Sequence, residues 1–307
     1  MRVASIDIGT NSVLLLVAER RGDELVPVLE RATITRLGRG VDATRELDPA
    51  AVEATLACLA GYADEIARAG VDRAGAVGTS AMRDARGGDD FRARAALLLG
   101  EAPRVISGRE EAELSFAGAL AGLTAVPSAG PVVVFDLGGG STEIIRGRAG
   151  VVEQAVSLDV GVVRLTERHI RVDPPRAEEL EAVRRAAREA LAGTGGGWRS
   201  ETAPVVVGVA GTVTTLAAYS LGIAPYDANR VHGARLGAAA VAAARAELAR
   251  LPLAERRRIP GLDPGRADVI VAGALIVEEI LTWAGANELF VSDRGVRWGL
   301  ARQLAWR

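Results

Sequence analysis

The stretch VVVFDLGGGSTEII occupies Val132–Ile145. An apolar run enters an aspartate, breaks on three glycines, then resumes through Ser141, Thr142 and Glu143. Near the start of the chain, VASIDIGTNSVLLLV (Val3–Val17) does the same. At an offset of 129 residues Asp7 falls on Asp136, Gly9 on Gly138 and Ser12 on Ser141. The shared pattern is D-x-G-x-x-S between two apolar runs. Both flanks read as strands, so each copy predicts a hairpin with a tight turn. A parallel dinucleotide site needs a helix straight after its glycines. Here TEIIRG and VLLLVAERRG continue as strands and G-x-G-x-x-G is absent, which argues against a Rossmann fingerprint.

Working outward, strands are predicted at 2–9, 13–20 and 24–35. Asp48 and Pro49 supply an N-cap and a first-turn proline for a helix to Arg68. A strand at 73–79 leads into GTSAMRDARGG, followed by a helix at 89–99 and a strand at 103–106. Ser107 and Glu110 form a capping-box pattern for a helix to Leu123. Pro127, Ser128, Gly130 and Pro131 mark the expected boundary. The plan then repeats: strands over 132–158, helices, and a surface loop at GTGGGW (193–198). PVVVGVAG follows as a strand entering a turn at Gly211–Thr212. A long helix (265–284), a strand (288–292) and a last helix from SDRGVRWG close the chain. Strands alternating with helices, twice over, predict α/β architecture in two related domains, 1–124 and 125–307. The last helix, 295–307, is expected to pack back on the first domain.

Composition narrows the chemistry. The 307 residues carry a formal net charge of −2, so an anionic ligand needs a local basic cluster. All 37 basic residues are arginine, which excludes a Walker A lysine, a Schiff base and a lysine general base. Two histidines, His169 and His232, and one cysteine, Cys58, leave little for a His/Cys metal site and no intrachain disulfide. The N-terminus shows no charged leader followed by an apolar segment. The longest late apolar run, Val269–Val277, stops at Glu278 and is too short to span a bilayer. A cytoplasmic protein with no membrane and no nucleic-acid partner is expected.

Successive glycines expose backbone N–H groups and let a ligand approach the main chain. Ser141 and Thr142 add hydroxyls, a combination suited to phosphate oxygens. An aspartate at the strand end is wrong for bare phosphate but right for a divalent ion or its water. Two such hairpins facing each other would clamp a phosphate chain between domains. A third turn, VVVGVAGTVTTLAA, runs through Gly208 and Gly211 into Thr212 and a helix whose N-terminus suits an anion.

With these motifs the chain resembles the superfamily of actin, sugar kinases and heat-shock chaperone ATPases. More closely it resembles the exopolyphosphatase / guanosine pentaphosphate phosphohydrolase family. SIDIGTNSVLLLVAE, GTSAMRDA, VISGREEAELSFAGAL, VVVFDLGGGSTEII and GVAGTVTTLAA are similar to its successive motifs, in order, over residues 3–222, and SDRGVRWGL to its C-terminal end. The resemblance implies two ribonuclease-H-like (actin-like) domains with an inter-domain cleft. It implies hydrolysis of the terminal phosphoanhydride of inorganic polyphosphate by activated water, releasing orthophosphate.

The resemblance assigns the general base to Glu111, the second glutamate of GREEA. The residues agree: Glu110 occupies the capping-box position, while Glu111 shares a stripe with Ser115, Gly118 and Gly122 that would let the helix approach a cleft. Asp136 and Glu143 are expected to hold Mg²⁺ (or another divalent ion) or to order water, with Asp7 as the first-domain counterpart. Thr10, Asn11 and Ser12 are expected on phosphate oxygens, as are Gly138, Gly139, Gly140, Ser141, Thr142, Gly211 and Thr212. Arg83 matches the family's phosphate-binding arginine; a planar guanidinium suits bidentate contact. ERRRIPGLDPGRAD offers Arg256, Arg257, Arg258 and Arg266 as further guides for an anionic chain.

The length resembles the family's short, two-domain forms, which bears on the grip of long chains. Guanosine pentaphosphate or tetraphosphate, as substrate or inhibitor, is the neighbouring alternative, since the terminal group is the same. A non-catalytic sensor of polyphosphate or alarmone is the alternative from another class, and the intact Glu111, Asp136 and Glu143 argue against it. The family suggests a homodimer.

Overall fold

A computed structural model describes residues 1–126, 130–195, 198 and 204–307. The expected boundary residues Pro127 and Ser128, and Gly196 and Gly197 of the expected loop, lie outside the described residues. In chain order the elements are β1 (Arg2–Ile8), β2 (Ser12–Arg21), β3 (Glu24–Ile34), α1 (Val41–Thr44), α2 (Pro49–Ala69), β4 (Arg73–Gly78), α3 (Ser80–Asp84), α4 (Gly88–Leu99), β5 (Arg104–Val105) and α5 (Gly108–Ala119). They continue with β6 (Pro131–Leu137), β7 (Thr142–Arg148), β8 (Val151–Leu158), α6 (Val162–His169), α7 (Ala177–Ala192), β9 (Val205–Val209), α8 (Gly211–Ser220), α9 (Ala228–Val231) and β10 (Arg235–Gly237). The last are α10 (Ala238–Leu248), α11 (Leu253–Arg256), α12 (Ile270–Ala284), β11 (Glu288–Val291) and α13 (Val296–Trp306).

The chain forms two units, Met1–Gly118 with Val296–Arg307, and Ala119–Gly295. The sheet of the first unit runs β3-β2-β1-β4-β5. Strand β2 is antiparallel to both neighbours, whereas β1, β4 and β5 are parallel. The second sheet runs β10-β11-β9-β6-β7-β8. Its β8-β7-β6-β9-β11 portion repeats the same directions, and β10 adds an antiparallel edge. Two copies of this order are the ribonuclease-H-like plan that the duplicated hairpins imply.

The period of two along β1 sorts its side chains between two cores. Ala4, Ile6 and Ile8 pack with Val52, Leu56 and Leu59 of α2 and Phe91 of α4. Val3 packs with Trp298, Ala301 and Ala305 of α13. Ser5, on the same face as Val3, donates its hydroxyl to the Arg297 carbonyl at 2.7 Å. Asp48 caps α2 by accepting from the Ala51 N–H at 2.9 Å, with Pro49 in the first turn.

Two local expectations are corrected. Helix α5 ends at Ala119, so Gly122 leaves the stripe read from Glu111; its φ of +79° places it in a left-handed turn instead. The small residue that lets α5 approach a neighbour is Gly299 of α13, where a Cβ would lie 2.0 Å from the Leu114 carbonyl oxygen. The expected loop at GTGGGW ends in a buried anchor: Trp198 packs in the second core with its ring 5.6 Å from that of Trp283. No helix among the described residues is long and apolar enough to cross a membrane.

Candidate active site

In the first unit, β1 delivers Asp7 and then the turn Gly9–Ser12. The Gly9 N–H donates to the Ser12 carbonyl at 3.0 Å and closes the turn. Asp7, Thr10 and Asn11 are buried. The Thr10 carbonyl accepts from the Gly38 N–H, and the Asn11 carbonyl from the Thr35 and Arg36 N–H groups, all within 3.1 Å. A peptide's C=O and N–H point in opposite directions, so the N–H groups of Asn11 and Ser12 face away from that segment. The Thr10 hydroxyl lies 2.8 Å from that of Ser80. The Nδ2 of Asn11 is buried with no hydrogen-bond partner among the described residues, an uncommon state that a ligand would relieve.

Parallel pairing sets Ile8 beside Gly78, so the chain leaving β4 enters α3 next to this turn. Helix α3 carries Arg83, whose Nη1 donates to the Ile106 carbonyl at 3.1 Å and to Glu111 Oε2 at 3.2 Å. Glu111 is 7% exposed. Its neighbour Glu110 is turned elsewhere, with Oε1 2.8 Å from Arg104 Nη1, while the Ser107 hydroxyl accepts from the Glu110 N–H at 3.2 Å. The structure thus brings Arg83 and Glu111 together and gives the two glutamates different partners.

In the second unit the loop after β6 repeats the turn. The Gly138 N–H donates to the Ser141 carbonyl at 3.0 Å, matching Gly9 to Ser12. The loop lies against the start of α6. The Gly138 carbonyl accepts from the Val162 N–H at 3.0 Å, and the Gly139 carbonyl from those of Val163 and Arg164 at 2.9 and 3.0 Å. The Gly140 carbonyl accepts from Arg164 Nε at 2.6 Å. Peptide planarity therefore turns the N–H groups of Gly139, Gly140 and Ser141 to the opposite side. Gly161 makes the contact possible: a Cβ there would lie 2.3 Å from the Gly139 carbonyl oxygen. The Thr142 hydroxyl donates to the Val160 carbonyl, so it holds the loop and does not line the turned-out N–H groups.

Asp136 and Glu143 are direct partners across β6 and β7 and share one sheet face. They are 9% and 1% exposed. Ser157, in register on β8, donates to Glu143 Oε1 at 2.6 Å. Like charges directly opposite on a sheet repel. An all-oxygen pair of this kind suits a hard divalent ion that keeps water or ligand oxygens in its remaining positions. Among the described residues no group of three or more His, Cys, Asp or Glu is placed to hold a metal unaided.

Asp136 also pairs with Val209 of β9, so the third turn opens at the same sheet end as the glycine loop. Ala210, at φ 78° and ψ 169°, precedes α8. Gly211 is in close contact with the Arg266 guanidinium, whose Cζ would lie 2.0 Å from a Cβ there. Burial pulls the Arg266 pKa below the usual arginine value, with Asp263 opposing from 3.6 Å. The Thr212 side chain is buried against Gly273 of α12, which leaves its backbone N–H, not its hydroxyl, for any ligand. Arg256, expected as a guide for an anionic chain, is 5% exposed and paired with Asp173 at 2.5 Å, so it is structural; Arg257 and Arg258 are exposed. His232 is half-buried, with Nδ1 3.0 Å from Asp293.

Sequence reasoning missed Ser157, Gly161, Arg164 and the strain at Ala210. Each acts through β8 register, α6 docking or backbone torsion, none of which a motif displays.

Two sheets of the ribonuclease-H-like plan, each with a D-x-G-x-x-S turn after its first strand, define a protein of the actin-like ATPase fold class. Within it, the chain belongs to the Ppx/GppA phosphatase family, whose model matches residues 16–305. It is 42% identical to exopolyphosphatase 2 of Mycobacterium tuberculosis, over 99% of this chain and 98% of that protein. The crystal structure of an exopolyphosphatase-like protein superposes with a TM-score of 0.91 at 33% identity, covering 98% of this chain and 97% of that one. That of the Aquifex aeolicus family member gives 0.82 at 35%, over 99% and 97%.

Proposed function

We propose that the protein is an exopolyphosphatase that removes the terminal phosphoryl group of inorganic polyphosphate and releases orthophosphate. The observation that carries the reading is the Glu111–Arg83 pair: a buried carboxylate held at 3.2 Å by a guanidinium, on neighbouring elements of one unit. Its likeness over 99% of its length to a curated exopolyphosphatase supports the same reaction.

The substrate is a dense polyanion, and a neutral water must attack it in line. Glu111 takes the proton from that water. The water oxygen bonds to the terminal phosphorus as the bridging P–O bond breaks, and the shortened chain leaves with the bridging oxygen. Arg83 orients the phosphoryl oxygens through its remaining N–H donors. The outward N–H groups of Gly139, Gly140 and Ser141 in the second unit are fixed dipoles suited to phosphate charge without reorganising, and those of Asn11 and Ser12 have the same character within the first unit. Arg266 beside the N-terminus of α8 adds a second positive locus. A divalent cation, Mg²⁺ in this reading, would be held by Asp136 and Glu143 and would offset the charge of the phosphate oxygens; Asp7 is the matching acid of the first unit.

Guanosine pentaphosphate presents the same terminal group, and the family description covers both activities. The deciding experiment measures phosphate release from polyphosphate, guanosine pentaphosphate and ATP side by side with Mg²⁺. Release from polyphosphate ahead of the other two is expected. Faster release from guanosine pentaphosphate would transfer the assignment to the alarmone, and binding without release from any of them would make the chain a sensor.

A further inference from the structure

We infer that Arg164 is a positioning residue of the reaction, holding the Gly140–Ser141 peptide with its N–H toward the phosphate. The inference rests on the hydrolase reading and adds to it a residue outside the five motifs. Arg164 lies in the first turn of α6 with its side chain 7% exposed. Its Nε donates to the Gly140 carbonyl at 2.6 Å. Its Nη2 lies 3.6 Å from Asp159, which is 86% exposed, so water screens that acid far more than the arginine.

The internal duplication shows what the contact is for. Gly140 corresponds to Asn11 at the offset of 129 residues. In the first unit the Asn11 carbonyl is held by two backbone donors, the N–H groups of Thr35 and Arg36. In the second unit the equivalent carbonyl is held by a guanidinium. The charge matters for two reasons. A cation on a carbonyl oxygen polarises the whole peptide unit and strengthens the N–H on its other side, here that of Ser141. Glycine at 139 and 140 also permits the alternative orientation, in which the Gly140–Ser141 peptide flips and presents its carbonyl oxygen to the phosphate. A carbonyl in that place repels the substrate. Arg164 biases the peptide against it.

The test compares Arg164→Lys and Arg164→Gln with the parent protein. Orthophosphate affinity is measured by calorimetry, and kcat and KM on polyphosphate by phosphate release, with melting temperature and circular dichroism as folding controls. Lysine keeps the charge but loses the planar fork; glutamine loses the charge. Orthophosphate affinity and kcat are expected to fall in the order parent, Lys, Gln, by about threefold to tenfold for Lys and about thirtyfold or more for Gln. A merely structural residue would move the melting temperature and leave this order in the folded fraction unseen. If the Gln variant does not fold, the Lys variant decides: parent-like affinity and kcat overturn the inference. So does a folded Gln variant equal to the parent, or a Lys variant no better than Gln. A parent protein that binds orthophosphate but never cleaves polyphosphate would overturn the hydrolase reading alone, because the affinity order needs no turnover.

Discussion

Nη1 of Arg83 lies 3.2 Å from Oε2 of Glu111, and the same nitrogen donates to the Ile106 carbonyl at 3.1 Å. A guanidinium has five N–H donors in a fixed plane, so one edge can fix the carboxylate while other donors remain for a further partner. The adjacent Glu110 is held instead by Arg104 at 2.8 Å. Two consecutive glutamates, alike in sequence, have different partners.

Glu111→Gln is expected to keep the fold and orthophosphate binding and to lose about 10²–10⁴ in kcat, the contribution of a positioned general base. Glu110→Gln should retain most activity, because an exposed ion pair with Arg104 contributes little. Steady-state kinetics on purified, folded variants check both. Parent-like turnover by Glu111→Gln removes the base from this residue.

Asp136 and Glu143 face each other in register, where the first unit has Asp7 opposite Leu14. The second carboxylate is thus an addition to a common plan, and a like charge directly opposite another is destabilising without a cation. Glu143→Gln is expected to raise the melting temperature in EDTA, to abolish most of the stabilisation given by Mg²⁺, and to lower turnover. Thermal melts with EDTA and with Mg²⁺ measure this. Equal stabilisation of parent and variant by Mg²⁺ would take the cation away from this pair.

Much of the fold was legible because its carriers are local. Alternating apolar residues in Val3–Ile8 and the turn glycines specify hairpins from sequence alone, and the repeat at 129 residues specifies two units. The site was less legible. Glu111 and Arg83 are named by motif, but their contact depends on β4, α3 and α5 packing around the Ile106 carbonyl. Thr142 and Thr212 are hydroxyl residues in the right motifs, yet one bonds to Val160 and the other packs on Gly273. Arg256 looked like one of three equivalent surface arginines, and only the fold supplies Asp173 from 83 residues away. A motif names a residue type; which way its side chain turns is decided by tertiary packing.

Ser12 and Ser141 close their turns with the same hydrogen bond from Gly9 and Gly138. If both turns contact phosphate, Ser12→Ala and Ser141→Ala should each lower kcat/KM, by about 1–3 kcal/mol at most, the value of a hydrogen bond to a charged group. Impairment of only the Ser141 variant would make Asp7–Ser12 an ordinary hairpin.

Gly161→Ala tests the loop from behind. Its φ of −137° suits any residue, so the effect is steric alone. A Cβ would come within 2.5 Å of backbone atoms of Gly139 and Gly140, and backbone cannot move without displacing the loop. The expected result is a folded protein with kcat/KM reduced at least tenfold, since displacements of about 1 Å can cost 10²-fold. Full activity would show that the loop tolerates a shift and does not set the rate.

Ala210 is held at φ 78° and ψ 169°, a region of backbone space that is essentially restricted to glycine. Such a residue costs about 1–3 kcal/mol. The constraint is local: the next residue, Gly211, is pressed against the Arg266 guanidinium and starts α8, and the Ala210 carbonyl takes the Thr214 N–H at 3.2 Å. Ala210→Gly keeps that geometry and removes the strain. The greater freedom of glycine in the unfolded chain returns about 0.4–1 kcal/mol of the gain. A net stabilisation of about 1 kcal/mol is expected, which raises Tm by about 2–4 °C in a unit of this size. Turnover should stay within about twofold of the parent, since neither Gly211 nor Arg266 has to move. Thermal denaturation followed by circular dichroism decides the matter. A lower Tm would mean that Ala210 occupies this conformation without strain, or that its methyl group packs well enough to outweigh it.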